Sequence, residues 1–175
     1  IFINKIEKAL GKGDQGIGVF LDIKGAFDRL DHDAAINALR ARGMPEDFVG
    51  WYEYYLKNRT TTTRLAGASE TRKLKRGTPQ GGVLSPIIWN IVIDEFILLS
   101  ENLTHTDVVV FADDGFGVVF GQDAQQLHER ASLFLQTARD WSAGAGLSIN
   151  SKTEIMHIGS RVTDPLPLSY ETEHL

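Results

Sequence analysis

Residues 108–120 read VVVFADDGFGVVF: two runs of Val and Phe suited to buried strands, with the adjacent carboxylates Asp113 and Asp114 between them. A charge buried without a partner is strongly disfavoured, so the acids must meet water, a partner or a metal ion. One continuous buried strand is therefore excluded. Asp114 followed by Gly115 is a hairpin-turn signal, and the stretch is expected to fold as two antiparallel strands joined near the acids. For this stretch alone, a pair of turn-forming acids is the simplest account.

The rest of the chain alternates between the two periodicities. FINKIEKALGKG carries Ile3, Ile6 and Leu10 at helical spacing and begins in mid-pattern, as though inside a larger protein. IGVFLDI reads as a buried strand. DHDAAINALRARG reads as a helix with an Asp start and a Gly stop, and EDFVGWYEYYLKN as a second helix after Pro45. TTTTRLAG and ETRKLKRG flank a Gly-containing turn and predict a basic hairpin. SPIIWNIVIDEFILLSEN predicts a helix with Ser85 as N-cap and Pro86 in the first helical position. Between Asp123 and Ser142, Leu127, Ala131, Phe134, Leu135, Ala138 and Trp141 form a one-face stripe that predicts a core helix. EIMHIG predicts a short strand, and the residues after it a linker. Hairpin-joined strands interleaved with long helices favour an α+β fold, an antiparallel sheet packed on helices, over a doubly wound parallel sheet.

Composition narrows the chemistry. The chain has 175 residues, 42% hydrophobic and 23% charged, enough for one domain with a real core. The absence of cysteine excludes disulfides and thiolate metal sites, which permits an intracellular protein. The most apolar stretch, PIIWNIVIDEFILL, is too short and too interrupted by Asn90, Asp94 and Glu95 to span a membrane. A net charge of −5 argues against a surface that grips nucleic acid everywhere. From Lys57 to Arg76, however, Lys57, Arg59, Arg64, Arg72, Lys73, Lys75 and Arg76 face the single acid Glu70. That island is either a nucleic-acid contact or a solvated hairpin face.

A third acid changes the reading of the first two. GVFLDIKGAFD runs apolar up to Asp22 and then turns into small residues, so Asp22 also ends a buried strand. If that strand neighbours the hairpin, Asp22 and Asp113 lie side by side and repel unless a divalent cation intervenes. Magnesium fits, since it accepts one or two carboxylates and fills its shell with water and phosphate oxygens. Zinc does not, without cysteine or spaced histidines. Two such ions about 4 Å apart are the logic of nucleotidyl transfer. Gly25 and Ala26 lack bulk beside a triphosphate, Phe27 offers a flat wall to a sugar, and Gln80, with Gly81 and Gly82, offers donors and acceptors in a loop that permits close approach. Asp28, Asp31 and Asp33 read instead as turn and helix-start acids.

FLDIKGAFD, RGTPQGGVLSPIIWNIVID, FADD and GLSINSKTE, in that order over residues 15–160, together resemble the palm of a reverse transcriptase, more particularly of the non-LTR retrotransposon type. The resemblance implies a polymerase palm with a ferredoxin-like or RRM-like sheet and part of the fingers over 1–159, and a linker toward a thumb over 160–175. It implies that Asp22 and Asp113, with Ile23, hold the metal, that Asp114 is an essential neighbour, and that Lys152 protonates the leaving pyrophosphate. Lys24, Gly25, Ala26, Phe27, Gln80 and Gly81 would meet the deoxynucleotide, Phe27 as the gate against a ribose 2′-hydroxyl. Arg59, Arg64, Arg72, Lys73, Lys75 and Arg76 would meet nucleic acid.

The implied partners are an RNA template, a DNA primer and a deoxynucleoside triphosphate. The implied cofactor is two Mg2+ ions, with Mn2+ as substitute. The expected setting is intracellular, nuclear for a eukaryotic element, with no membrane. Without the fingers and thumb, little or no processive synthesis is expected from these residues alone. The alternatives are a group II intron or bacterial retroelement polymerase, an inactive nucleic-acid-binding remnant, and a nucleotidyl cyclase.

Overall fold

In β1 (Gln15–Asp22) the side chains of Ile17, Val19 and Leu21 fall on one face of the strand and are buried, as period-two alternation requires. The computed structural model describes residues 2–150 and 153–159. These divide into two compact units. The first is built from 2–24, 96–142 and the described residues from 148 onward, the second from 25–95 and 143–147.

The first unit holds an antiparallel four-stranded sheet in the order β4-β5-β1-β6, with β4 (Thr106–Phe111), β5 (Asp114–Gly121) and β6 (Glu154–Ile158). The register pairs Val19 with Gly117 and Leu21 with Gly115, so those two glycines lie on the face that carries the Ile17, Val19 and Leu21 side chains. Against that face packs α6 (Ala124–Gly144), whose predicted stripe Leu127, Ala131, Phe134, Leu135, Ala138 and Trp141 is buried throughout. A β-carbon at Gly117 would lie 2.3 Å from the Phe134 ring, so the ring occupies the space a side chain would need. Phe96 joins the same core, 5.8 Å from Phe134 and 5.2 Å from Trp141 by ring centroid. On the other face Phe20 and Phe116 meet at 4.6 Å, and α1 (Phe2–Gly11) sets Phe2 edge-on to Phe116 and pairs Lys5 with Asp107. Ile3 does not join the expected apolar stripe of α1. It is exposed, and the helix buries no residue fully: Phe2, Ile6, Ala9 and Leu10 turn inward, and those by half.

In the second unit α2 (Ala26–Arg29) is followed by α3 (His32–Ala41), capped as expected by Asp31, which accepts from the Asp33 and Ala34 amides. α4 (Glu46–Lys57) follows Pro45, and Leu30, Ile36, Leu39, Val49, Tyr52 and Leu56 supply the core with Ile88, Trp89, Val92 and Ile93 from the first turns of α5 (Ser85–Glu101). The basic hairpin forms as β2 (Thr60–Leu65) and β3 (Ala68–Lys73), and every residue of both strands is exposed. Ser85 departs from the sequence expectation: its hydroxyl donates to the Pro79 carbonyl at 2.6 Å instead of capping α5, because the preceding loop doubles back beneath it.

Candidate active site

The β4–β5 hairpin closes through a two-residue turn, Ala112 and Asp113, with Phe111 paired to Asp114. Ala112 sits at φ 54, as the first central position of a mirror-type hairpin turn demands. The turn is thus two residues earlier than Asp114 and Gly115 suggested. Gly115 serves packing instead, since a β-carbon there would lie 3.3 Å from the Leu21 side chain.

The register then sets Asp22 directly opposite Asp114 in the β1–β5 ladder, not beside Asp113. Opposed residues share a face, with β-carbons about 4.5–5.5 Å apart. Asp113 follows at the turn, and both hairpin acids are exposed. Among the described residues no Lys or Arg pairs with Asp22, Asp113 or Asp114. Beside them lies a cavity of about 400 Å³ lined by Phe20, Val109, Phe111 and Phe116 as well as Asp22, Asp114 and Glu154.

Asn150 escaped the sequence reading, though it lies in the GLSINSKTE stretch. Its side-chain amide donates to Asp22 Oδ2 at 3.0 Å and its backbone N–H to the Asp22 carbonyl at 2.7 Å. Ile23 is buried and bridges Ile149, while the exposed Lys24 donates its backbone N–H to Ser148. The end of β1 is therefore clamped and one Asp22 oxygen is satisfied, while the other accepts no hydrogen bond among the described residues. The only earlier signal was physical: a half-buried carboxylate needs a donor. Lys152 lies outside the described residues, as do 160–175.

The nucleotide-related residues gather in the second unit. Gly25, at φ 62, precedes α2, Ala26 is buried, and Phe27 is half-buried with its ring 5.8 Å from Trp89. The RGTPQGG loop is clasped onto α2 by Gly77. Its N–H donates to Leu30 at 2.8 Å, and its carbonyl accepts from Arg59 at 3.0 Å and from His32 Nε2 at 3.1 Å, so Nε2 carries the ring hydrogen. The Thr78 N–H donates to Phe27 at 2.7 Å. Gly77 sits at φ 82, and a β-carbon there would lie 2.5 Å from the Asp28 backbone oxygen. The exposed Gln80 donates through Nε2 to Asp28 Oδ2 at 2.9 Å, which gives Asp28 a positioning contact that sequence reasoning did not assign. Gly81 is exposed, at φ 77.

The hairpin sorts its cations. Register places Arg64 and Lys73 on one face with Thr60, Thr62, Ser69 and Thr71, and Arg72 on the other, where it pairs with Glu70 at 2.8 Å. Lys75 and Arg76 are exposed beyond β3, and Arg76 bridges Asp31 through its backbone. Arg59 is part-buried and committed to Gly77.

No set of three His, Cys, Asp or Glu side chains forms a ready ion cage among the described residues. Opposed carboxylates without a cation, open to solvent, nevertheless suit an ion that keeps most of its ligands as water and substrate oxygens. Magnesium is such an ion. No helix among the described residues is long and apolar enough to cross a membrane.

An antiparallel sheet packed on helices, with acids at the adjoining ends of its two central strands, is the architecture of a polymerase palm. The chain belongs to the family described as reverse transcriptase (RNA-dependent DNA polymerase), whose pattern matches residues 4–172. It is 30% identical over 141 residues to a putative 115 kDa protein in the type-1 retrotransposable element R1DM of Drosophila melanogaster, covering 80% of this chain and 13% of that one. It is 29% identical over 142 residues to a Pol polyprotein of a retrotransposable element R2 of Popillia japonica, covering 78% and 20%. To the RNA-directed DNA polymerase of the mobile element jockey of Drosophila melanogaster it is 25% identical over 161 residues, covering 86% and 17%. These relatives belong to non-LTR elements, and the chain spans a fifth or less of their length. The fold is similar to that of a telomerase from Candida tropicalis in complex with an RNA fragment, with TM-score 0.64 and 16% identity over 89% of this chain and 28% of that one.

Proposed function

We propose that the chain is the catalytic palm, with part of the fingers over 1–159, of an RNA-directed DNA polymerase of a non-LTR retrotransposon. In it a primer 3′-hydroxyl attacks the α-phosphate of a deoxynucleoside triphosphate selected by an RNA template. The observation that carries the reading is the convergence of Asp22 and Asp114 across the β1–β5 ladder, with Asp113 at the adjoining turn and no Lys or Arg among the described residues paired with them.

Asp22 and Asp113, with the adjoining Ile23 and Asp114, would hold two Mg2+ ions, or Mn2+ in their place. Such ions, when bound, activate the attacking hydroxyl and neutralise the leaving pyrophosphate. Asn150 orients Asp22 by occupying one of its oxygens. Lys24, Gly25 and Ala26 lie at the triphosphate, and Phe27, backed by Trp89, excludes a 2′-hydroxyl. Gln80, held by Asp28, and Gly81 meet the nucleotide, and Lys152 supplies a proton to the pyrophosphate. With Arg59 and Arg72 committed to Gly77 and Glu70, strand contact falls chiefly to Arg64, Lys73, Lys75 and Arg76. A eukaryotic element of this kind would act in the nucleus.

The test is template-directed incorporation on an RNA template by a polypeptide carrying these residues in their natural flanking sequence. Asp22→Asn and Asp113→Ala are expected to abolish it, and Asp22→Asn to remove saturable magnesium binding to the 175-residue chain. Incorporation that survives Asp113→Ala unchanged overturns the assignment.

A further inference from the structure

The large apolar side chains that α4 exposes are all rings: Trp51 is 52% exposed, Tyr54 71% and Tyr55 39%, while the helix's Val49 and Leu56 are buried and its exposed acids, Glu46 and Asp47, are confined to the first turn. The rings are ordered. Trp51 and Tyr55 stack at 5.8 Å and 10°, and Phe48 lies parallel to the buried Tyr52 at 6.2 Å and 2°. Spacing of three and four residues along a helix puts these side chains on one stripe, fixed before anything binds. Nothing in the polymerase reading uses them.

From these observations we infer that the α4 stripe is a base-stacking platform for single-stranded nucleic acid, working with the β2–β3 hairpin that follows it in the same unit. Ordered planar side chains match the flat faces of bases, and the cations that follow them in the chain favour an anionic strand over a protein partner. The chain from Lys57 to Arg76 carries seven cations against one acid, in a protein of net charge −5, so an anionic partner is drawn to this segment. On one hairpin face Arg64 and Lys73 stand among the hydroxyls of Thr60, Thr62, Ser69 and Thr71, a surface suited to phosphates and sugars. A two-stranded hairpin exposed on both faces is marginal by itself and gains order from a partner. The partner is a single strand, because paired bases offer no open face to a ring. For its biological strand the inference rests on the polymerase reading, since a templated polymerase must hold unpaired template.

The experiment uses the 175-residue chain and a short fluorescent oligo(U), read by anisotropy. Trp89 and Trp141 are buried at 1% and 6%, so quenching of tryptophan emission reports Trp51. Wild type is expected to bind with quenching. Trp51→Ala and Tyr55→Ala should each weaken binding roughly 5- to 100-fold, and Trp51→Phe should retain most of it. Arg64→Ser with Lys73→Ser should flatten the salt dependence and leave the quench at saturation unchanged.

Unchanged affinity in the ring variants with their circular dichroism intact overturns the inference. So does a duplex that binds and quenches equally, or a dimer that the ring variants break without altering oligo(U) binding. Asp113→Asn separates the two readings: it should abolish incorporation and leave oligo(U) binding untouched. Ring-dependent binding in a protein that never polymerises would leave the platform standing and remove the polymerase.

Discussion

Asp22 stands opposite Asp114 in the antiparallel ladder, and no basic side chain among the described residues forms an ion pair with either. Like charges placed directly across a ladder are destabilising, by about 0.2–1 kcal/mol. Asp114→Asn should therefore raise the stability of the chain by that amount in a chelator. Added magnesium should narrow the gap, because it stabilises the wild-type pair by binding the native state. Thermal unfolding of both proteins with and without magnesium checks this. A variant less stable than wild type in chelator would contradict the repulsion.

Gln80 is exposed and its one recorded partner is Asp28, so its removal should leave the fold within about 0.5 kcal/mol of wild type. If the amide meets the nucleotide, Gln80→Ala should raise KM for the triphosphate by about 5- to 10-fold, the worth of one hydrogen bond, with kcat less affected. Steady-state incorporation by the active polypeptide measures the split.

Gly77→Ala combines a positive φ with a β-carbon 2.5 Å from the Asp28 backbone oxygen, whereas Gly67→Ala meets a similar φ, 86, in open space. The Gly67 substitution should lose about 1 kcal/mol from conformation alone. The Gly77 substitution should lose at least about 2 kcal/mol, because backbone cannot step aside as a side chain can. Urea unfolding of the two variants separates collision from strain.

Tyr52 has a buried hydroxyl with no hydrogen-bond partner among the described residues. Burial, then the neighbouring Tyr55, pushes its pKa from 10.0 to about 12, against a smaller opposing pull from Arg59. Between those values the folded chain keeps a proton that the unfolded chain has lost, so stability falls as pH rises from about 10 to about 12. Tyr52→Phe should remove that alkaline loss and, by deleting an unsatisfied buried hydroxyl, be neutral or stabilising by about 1 kcal/mol at neutral pH. Urea unfolding at neutral and alkaline pH tests both parts.

Helices and strands with strong periodicity were legible from local sequence, as the fully buried stripe of α6 and the Asp31 cap of α3 show. The three acids stood out as candidates, because charges at the ends of apolar strands demand compensation. Their pairing did not. Asp and Gly in succession resemble a turn, but the ladder places Gly115 opposite Leu21, the turn at Ala112 and Asp113, and Asp114 opposite Asp22. Asn150, Asp28 and Arg59 act on residues distant in sequence through hydrogen bonds, which periodicity does not encode. Ser85 illustrates the converse: a residue with strong capping preference was claimed by a carbonyl that the loop carried to it.

The void that Gly117 leaves is filled by Phe134, 2.3 Å from where a β-carbon would stand. The two positions are therefore bound into one evolutionary choice. A descendant that acquires any larger residue in the strand has to shrink the ring on the helix in the same lineage. Along this inward face variation should come in matched pairs, while the fully exposed strands β2 and β3 can change one residue at a time.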